Sequence, residues 1–153
     1  MRNENGESRI STEQLLELLF KEKSLDRFME RSETSFLLPS FHEFITALCA
    51  RRGEVPEHII ARANLEKSYG HKIFAGVRKP SRDTVLLLAF GFDADVALTQ
   101  ELLTLARKSA LYPKVKRDTA IIYCLHNHIS LVDTQVILHD LDLPLLGEGS
   151  RNE

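Results

Sequence analysis

Ile60-Ala-Arg-Ala-Asn-Leu-Glu-Lys-Ser-Tyr-Gly-His-Lys-Ile-Phe-Ala-Gly-Val-Arg-Lys-Pro-Ser81 is the stretch on which the reading of this chain turns. A short apolar helix over residues 55–63 ends at Asn64, one of the few non-glycine residues that accepts a left-handed backbone. Leu65 follows, then a polar helix over residues 66–75, which Gly76 closes. A basic loop, Val77-Arg-Lys-Pro-Ser81, leads out of it. Two short helices meeting at a sharp turn have the pattern of a helix-turn-helix.

The neighbouring segments read as further helices. Ser11-Thr-Glu-Gln14 is a capping box that opens the first, and Leu15, Leu16, Leu18, Leu19 and Phe20 follow it. Residues 24–31 form a second, with Leu25, Phe28 and Met29 on one side. Ser40-Phe-His-Glu43 is another capping box, and Phe41, Phe44, Ile45, Leu48 and Cys49 make the stripe of a helix ending at Gly53. Pro56 stands where a first-turn proline is tolerated. Beyond Ser81, residues 83–92, 95–109, 116–128 and 131–142 complete the set, and no segment sustains the alternation of a strand. The expected fold class is all-α.

Composition sets limits on function. At 153 residues the chain is long enough for one domain with appendages and a core. No apolar run approaches the roughly 20 residues that cross a bilayer, and residues 1–7 lack the apolar segment of a signal peptide. Cys49 and Cys124 sit in apolar helical patterns and suggest no disulfide framework, so a cytoplasmic location is expected. The net charge of −2 is unevenly spread: residues 1–40 carry −2, residues 41–82 carry +4 and residues 83–153 carry −4. The positive excess falls on the two-helix candidate, where lysine and arginine would displace counterions from a phosphate backbone. His126, His128 and His139 lack the spacing of a metal site and read as surface histidines. Asp118, Asp140 and Asp142 read as solvated charges. With no phosphate-binding glycine loop and no nucleophile elbow, the expectation is a protein that is not an enzyme and needs no cofactor or metal.

An internal repeat appears on shifting the chain by 35 residues. Lys79, Arg82, Asp83, Thr84, Thr99 and Gln100 then fall on Lys114, Arg117, Asp118, Thr119, Thr134 and Gln135. The pattern predicts two related helical hairpins, residues 81–109 and 116–142.

Residues 41–105 resemble the Cro/repressor-like (XRE-type) helix-turn-helix family, most specifically over residues 55–81. The family elements stand here as Ile59 to Ala63, the turn at Asn64, Leu65, the recognition helix and the Gly76-Val-Arg-Lys-Pro-Ser81 exit. Two departures matter. Where the family has alanine four residues before the turn residue, this chain has Ile60, and where it has a branched apolar residue on the facing helix, this chain has Gly70. A large-for-small exchange matched by a small-for-large one keeps the packed volume. Second, Glu57 and Glu66 bring carboxylates to the expected DNA side, where they would weaken phosphate binding, although Glu66 has the chemistry to accept from a cytosine N4.

The resemblance implies a repressor-like bundle with double-stranded DNA as the partner. It directs Lys67, Ser68, His71 and Lys72 toward base edges. It places Arg51, Arg52, Arg78, Lys79 and Arg82 on phosphates, with Tyr69 on a phosphate or packed beneath the helix. Ile60, Asn64, Leu65, Gly70, Ile73 and Gly76 would hold the motif together. The expected organisation is an N-terminal helical extension (1–35), the helix-turn-helix domain (36–109), a C-terminal helical hairpin (110–145) and a disordered tail (146–153). The expected function is that of a transcriptional regulator binding DNA as a homodimer. The alternative is a helical adaptor that keeps the fold without binding DNA, using the N-terminal or C-terminal helices for a protein partner.

Overall fold

A computed structural model describes residues 10–147 of the chain, and residues 148–153 of the tail expected to be disordered (146–153) lie outside the described residues. The regular elements among the described residues are all helices, with no strand among them. None of these helices is long and apolar enough to cross a membrane. The chain divides into two compact units, Met1–Leu38 and Pro39–Glu153.

The first unit holds α1 (Thr12–Lys21), α2 (Leu25–Arg31) and a 3-10 turn at Glu33–Phe36. Ser11 accepts from the Gln14 backbone N–H and Gln14 returns a bond to the Ser11 N–H, so the capping box forms as the sequence predicts. Ser24 caps α2 in the same sense through the Arg27 N–H. Phe28 is buried against Phe36, their rings edge to face at 6.5 Å, while Leu16, Phe20, Leu25 and Met29 remain exposed.

The second unit runs through α3 (Phe41–Arg51), α4 (Pro56–Arg62), α5 (Lys67–Phe74), α6 (Arg82–Gly91), α7 (Val96–Leu105), α8 (Lys116–His126) and α9 (Leu131–Asp140). At its centre lies α6, whose run Val85-Leu-Leu-Leu-Ala89 is apolar all round and buried all round. α4 packs on one part of it and α7 on another, and α5 rests on α3 and α4. Side-chain caps start most of these helices: Ser40, Ser81, Asp95 and Ser130 each accept from a backbone N–H in the first turn. Helix α7 stops short of the expected residue 109 because Arg107 takes a left-handed backbone, φ 57°.

The two hairpins read from the 35-residue repeat form as α6–α7 and α8–α9, and they correspond in detail. The left-handed residues between and after the helices, Asp93 and Arg107, recur at His128 and Asp142. Gln100 donates to the Leu111 carbonyl and accepts from its N–H, and Gln135 does both with Leu146. Leu146, placed by the sequence at the head of a disordered tail, is therefore buried as the counterpart of Leu111.

The hairpins are joined by crossed ion pairs. Arg82 grips Asp118 through both terminal nitrogens at 3.1 and 3.0 Å, and Arg117 grips Asp83 at 2.9 and 2.9 Å. Arg82 also donates to the carbonyls of Ser109 and Ala110, and Arg117 to those of Pro144 and Leu145. The second carboxylate oxygen of Asp118 takes the Tyr112 N–H, and that of Asp83 takes the Gly147 N–H. Asp118 is thus buried rather than a solvated charge, because the start of α8 lies directly against Arg82. A lone aspartate in sequence does not show the arginine that another helix will bring to it.

One repeat position is imperfect. Thr99 Oγ1 donates to the Asp95 carbonyl at 2.8 Å, but its equivalent, Thr134 Oγ1, is fully buried with no hydrogen-bond partner among the described residues. A buried hydroxyl left unpaired costs about 1–3 kcal/mol. Thr134→Val is expected to raise stability by up to about 1 kcal/mol, and Thr99→Val to lower it by about 1 kcal/mol. Urea unfolding of the two variants checks this, and equal destabilisation by both would refute it.

Candidate functional site

Helix α5 is seated by the residues that carry its motif. Asn64 adopts φ 54° and turns the chain between α4 and α5. Ile60, Ile73 and Phe74 are buried, and Leu65 is half-buried against the same core. Gly70 faces Ile60 so closely that a Cβ there would lie 2.6 Å from an Ile60 methyl. The inverse exchange read from the sequence is therefore a real contact. A glycine in mid-helix lets α5 press onto a bulky neighbour that a branched residue would exclude. Gly76 ends the helix at φ 75° with the His42 ring packed against it, a position where a side chain would be both strained and obstructed.

This seating decides what α5 exposes. Gly70, Ile73 and Phe74 point inward; Lys67, Ser68 and Lys72 are exposed and His71 is half-exposed. All four residues directed to base edges thus share the outward side of one helix. Lys67 and Lys72 carry no ion pair among the described residues. His71 lies 3.6 Å from Glu57, which brings the first troublesome carboxylate to an imidazole on the same surface.

The second carboxylate has a structural task. Glu66 is the N-cap of α5 and accepts from the backbone N–H groups of Ser68 and Tyr69 at 3.0 and 2.7 Å. Those two bonds hold its carboxyl below the ordinary glutamate range. A carboxylate so engaged has fewer lone pairs to offer a base, and it satisfies the helix terminus that would otherwise attract an anion.

The six side chains directed to phosphates fare differently. Lys79 is exposed and unpaired among the described residues, and Arg78 lies over the Tyr69 ring at 5.7 Å. The Tyr69 hydroxyl is 3.2 Å from that of Thr84, so Tyr69 takes the packed alternative and supports Arg78 from below. Arg51 lies over Phe44 at 6.0 Å. Arg52 donates to the Phe92 carbonyl and covers the Phe92 ring. Arg82 is engaged by Asp118 and two carbonyls, which commits most of its donors and takes it away from a phosphate. Missed in the sequence were the roles of Asp83, Asp118 and Arg117; the repeat itself was the signal that these residues belong together.

Cys49 and Cys124 are buried in the core, and burial pushes the Cys49 thiol above its ordinary value, with the Glu54 charge adding to it. No family model, curated protein or solved structure matches this chain. What the molecule itself defines is an all-helical protein with a short, outward-facing basic helix set on a buried glycine–isoleucine contact.

Proposed function

We propose that α4 and α5 are a helix-turn-helix of the Cro/repressor-like kind and that α5 reads double-stranded DNA from the major groove. The supporting observation is the outward side of α5: Lys67, Ser68, His71 and Lys72 lie together, Arg78 and Lys79 follow them, and Glu66 is committed to the helix cap. Lysine and serine here have the reach and chemistry for base edges, and the two residues after the helix suit phosphates. Transcriptional regulation is the role such a reader would serve. Arg82 and Arg52 are left out of the contact set because the fold already engages them elsewhere.

Fluorescence anisotropy against duplex DNA tests the reading. Affinity is expected to fall steeply between about 50 and 200 mM salt as released counterions are repaid. The K67A/K72A variant is expected to lose at least about thirtyfold in affinity at constant fold, two base contacts being worth roughly 2 kcal/mol or more together. K79A is expected to weaken all sequences alike and reduce the salt slope by about 1. Salt-independent binding, or an unaffected K67A/K72A variant, would refute the assignment. A second reading, a helical adaptor for protein partners, draws on the exposed apolar side chains of α1 and α2. It becomes the better one if no duplex binds at the lower salt.

A further inference from the structure

The contacts between α6–α7 and α8–α9 have the form of an isologous interface, the kind two identical subunits make about a two-fold axis. In such an interface, if residue i of one partner touches residue j of the other, then j of the first touches i of the second. Arg82 with Asp118 and Arg117 with Asp83 satisfy that rule over the 35-residue shift. So do the Tyr112 N–H on Asp118 and the Gly147 N–H on Asp83. Likewise α6 packs on α9 while α7 packs on α8. A residue on the axis must meet its own equivalent, and His128 meets Asp93 at 3.3 Å. The α8–α9 hairpin therefore sits on α6–α7 as a second subunit would.

We propose that the α6–α7 surface is a self-recognition surface: when the chain's own α8–α9 contact is weakened, its occupant is the α8–α9 hairpin of a second copy of this chain, each copy's hairpin seating on the other's α6–α7. The connection permits it. Leu111 is tied back to Gln100 of the first hairpin and Asp118 belongs to the second, so residues 112–115 alone bridge the two. Every contact across the interface can then be supplied by either chain. On so short a tether the chain's own hairpin has an effective concentration on the order of millimolar, so it outcompetes a second copy in the unaltered protein. With the DNA reading of α5 above, an exchanged dimer would carry two α5 helices where one chain carries one.

Complementary charge reversals in the full chain make the exchange visible. In R82E the introduced carboxylate faces Asp118; in D118K the introduced ammonium faces Arg82. Each chain alone therefore holds a like-charge contact at a mostly buried site. In a hairpin-exchanged pair of the two, the introduced carboxylate of one chain meets the introduced ammonium of the other, and the unaltered Arg82 and Asp118 meet at the second contact. When the variants are refolded together, native mass spectrometry is expected to show a 1:1 heterodimer at least about tenfold more abundant than either homodimer, since a reversed contact in such a site is worth more than one factor of ten. Both changes in one chain, R82E/D118K, restore attraction internally and are expected to show no such preference. The equivalent pair R117E and D83K repeats the test at the related site and covers the case in which R82E does not fold. Failure of both mixtures to give the 1:1 species overturns the proposal. The readout involves no DNA, so it stands or falls separately from the function of α5.

Discussion

Asp118→Ala is expected to destabilise the unit of α3 to α9 by about 3–4 kcal/mol, the usual consequence of removing one partner of a buried ion pair. The loss is large because the guanidinium of Arg82 stays behind with two carbonyls and without its hydrogen-bonded carboxylate, and the Tyr112 N–H loses its acceptor. For a unit of this size the melting temperature is expected to fall by roughly 10 °C. Differential scanning calorimetry checks it, and a shift within a degree or two would show that the crossed pairs carry little. The same architecture predicts acid sensitivity. Burial alone would raise the Asp83 carboxyl, but the Arg117 hydrogen bonds, the Gly147 N–H and the Arg117 and Arg82 charges hold it below its ordinary value of 3.8. A depressed carboxyl contributes stability that is complete above that value and is lost as the pH falls below it. Asp83→Asn is accordingly expected to flatten the decline in stability below about pH 4 while lowering stability at neutral pH.

The second large effect is expected between Ile60 and Gly70. Gly70→Val is expected to cost about 3 kcal/mol, since even its Cβ would lie 2.6 Å from Ile60 in a closely packed core. Ile60→Ala is expected to cost a similar amount, about 3 kcal/mol, by leaving a cavity under α5. Combined, I60A/G70V is expected to cost about as little as either change alone, a coupling of roughly 2–3 kcal/mol. Chemical denaturation of the four chains measures that coupling. Simple additivity would mean that the two side chains do not share one packed volume.

Much of this was legible because it is local. The all-helical class follows from apolar spacing; the starts of α1 and α3 follow from Ser11 and Ser40; the turn follows from Asn64. Ile60 opposite Gly70 was also readable, through the register that the helix-turn-helix resemblance implies, and the bulky neighbour accounts for a glycine in mid-helix. The fate of charged side chains was not readable in this way. Arg52, Arg82 and Lys79 look alike as sequence, yet the first two are spent on a carbonyl and a buried carboxylate while the third is free for solvent among the described residues.

The sequence by itself determined the periodicities, the caps at Ser11 and Ser40, the left-handed turn at Asn64 and the 35-residue repeat, because each depends on residues a few positions apart or on direct comparison of two segments. Only the tertiary structure decided that the two repeats face one another about a two-fold relation, that Asp118 is buried, and that Glu66 caps α5. Those outcomes depend on which backbone groups and distant charges arrive within hydrogen-bonding reach, and the distance between Arg82 and Asp118 is set by the packing of whole helices rather than by their separation along the chain.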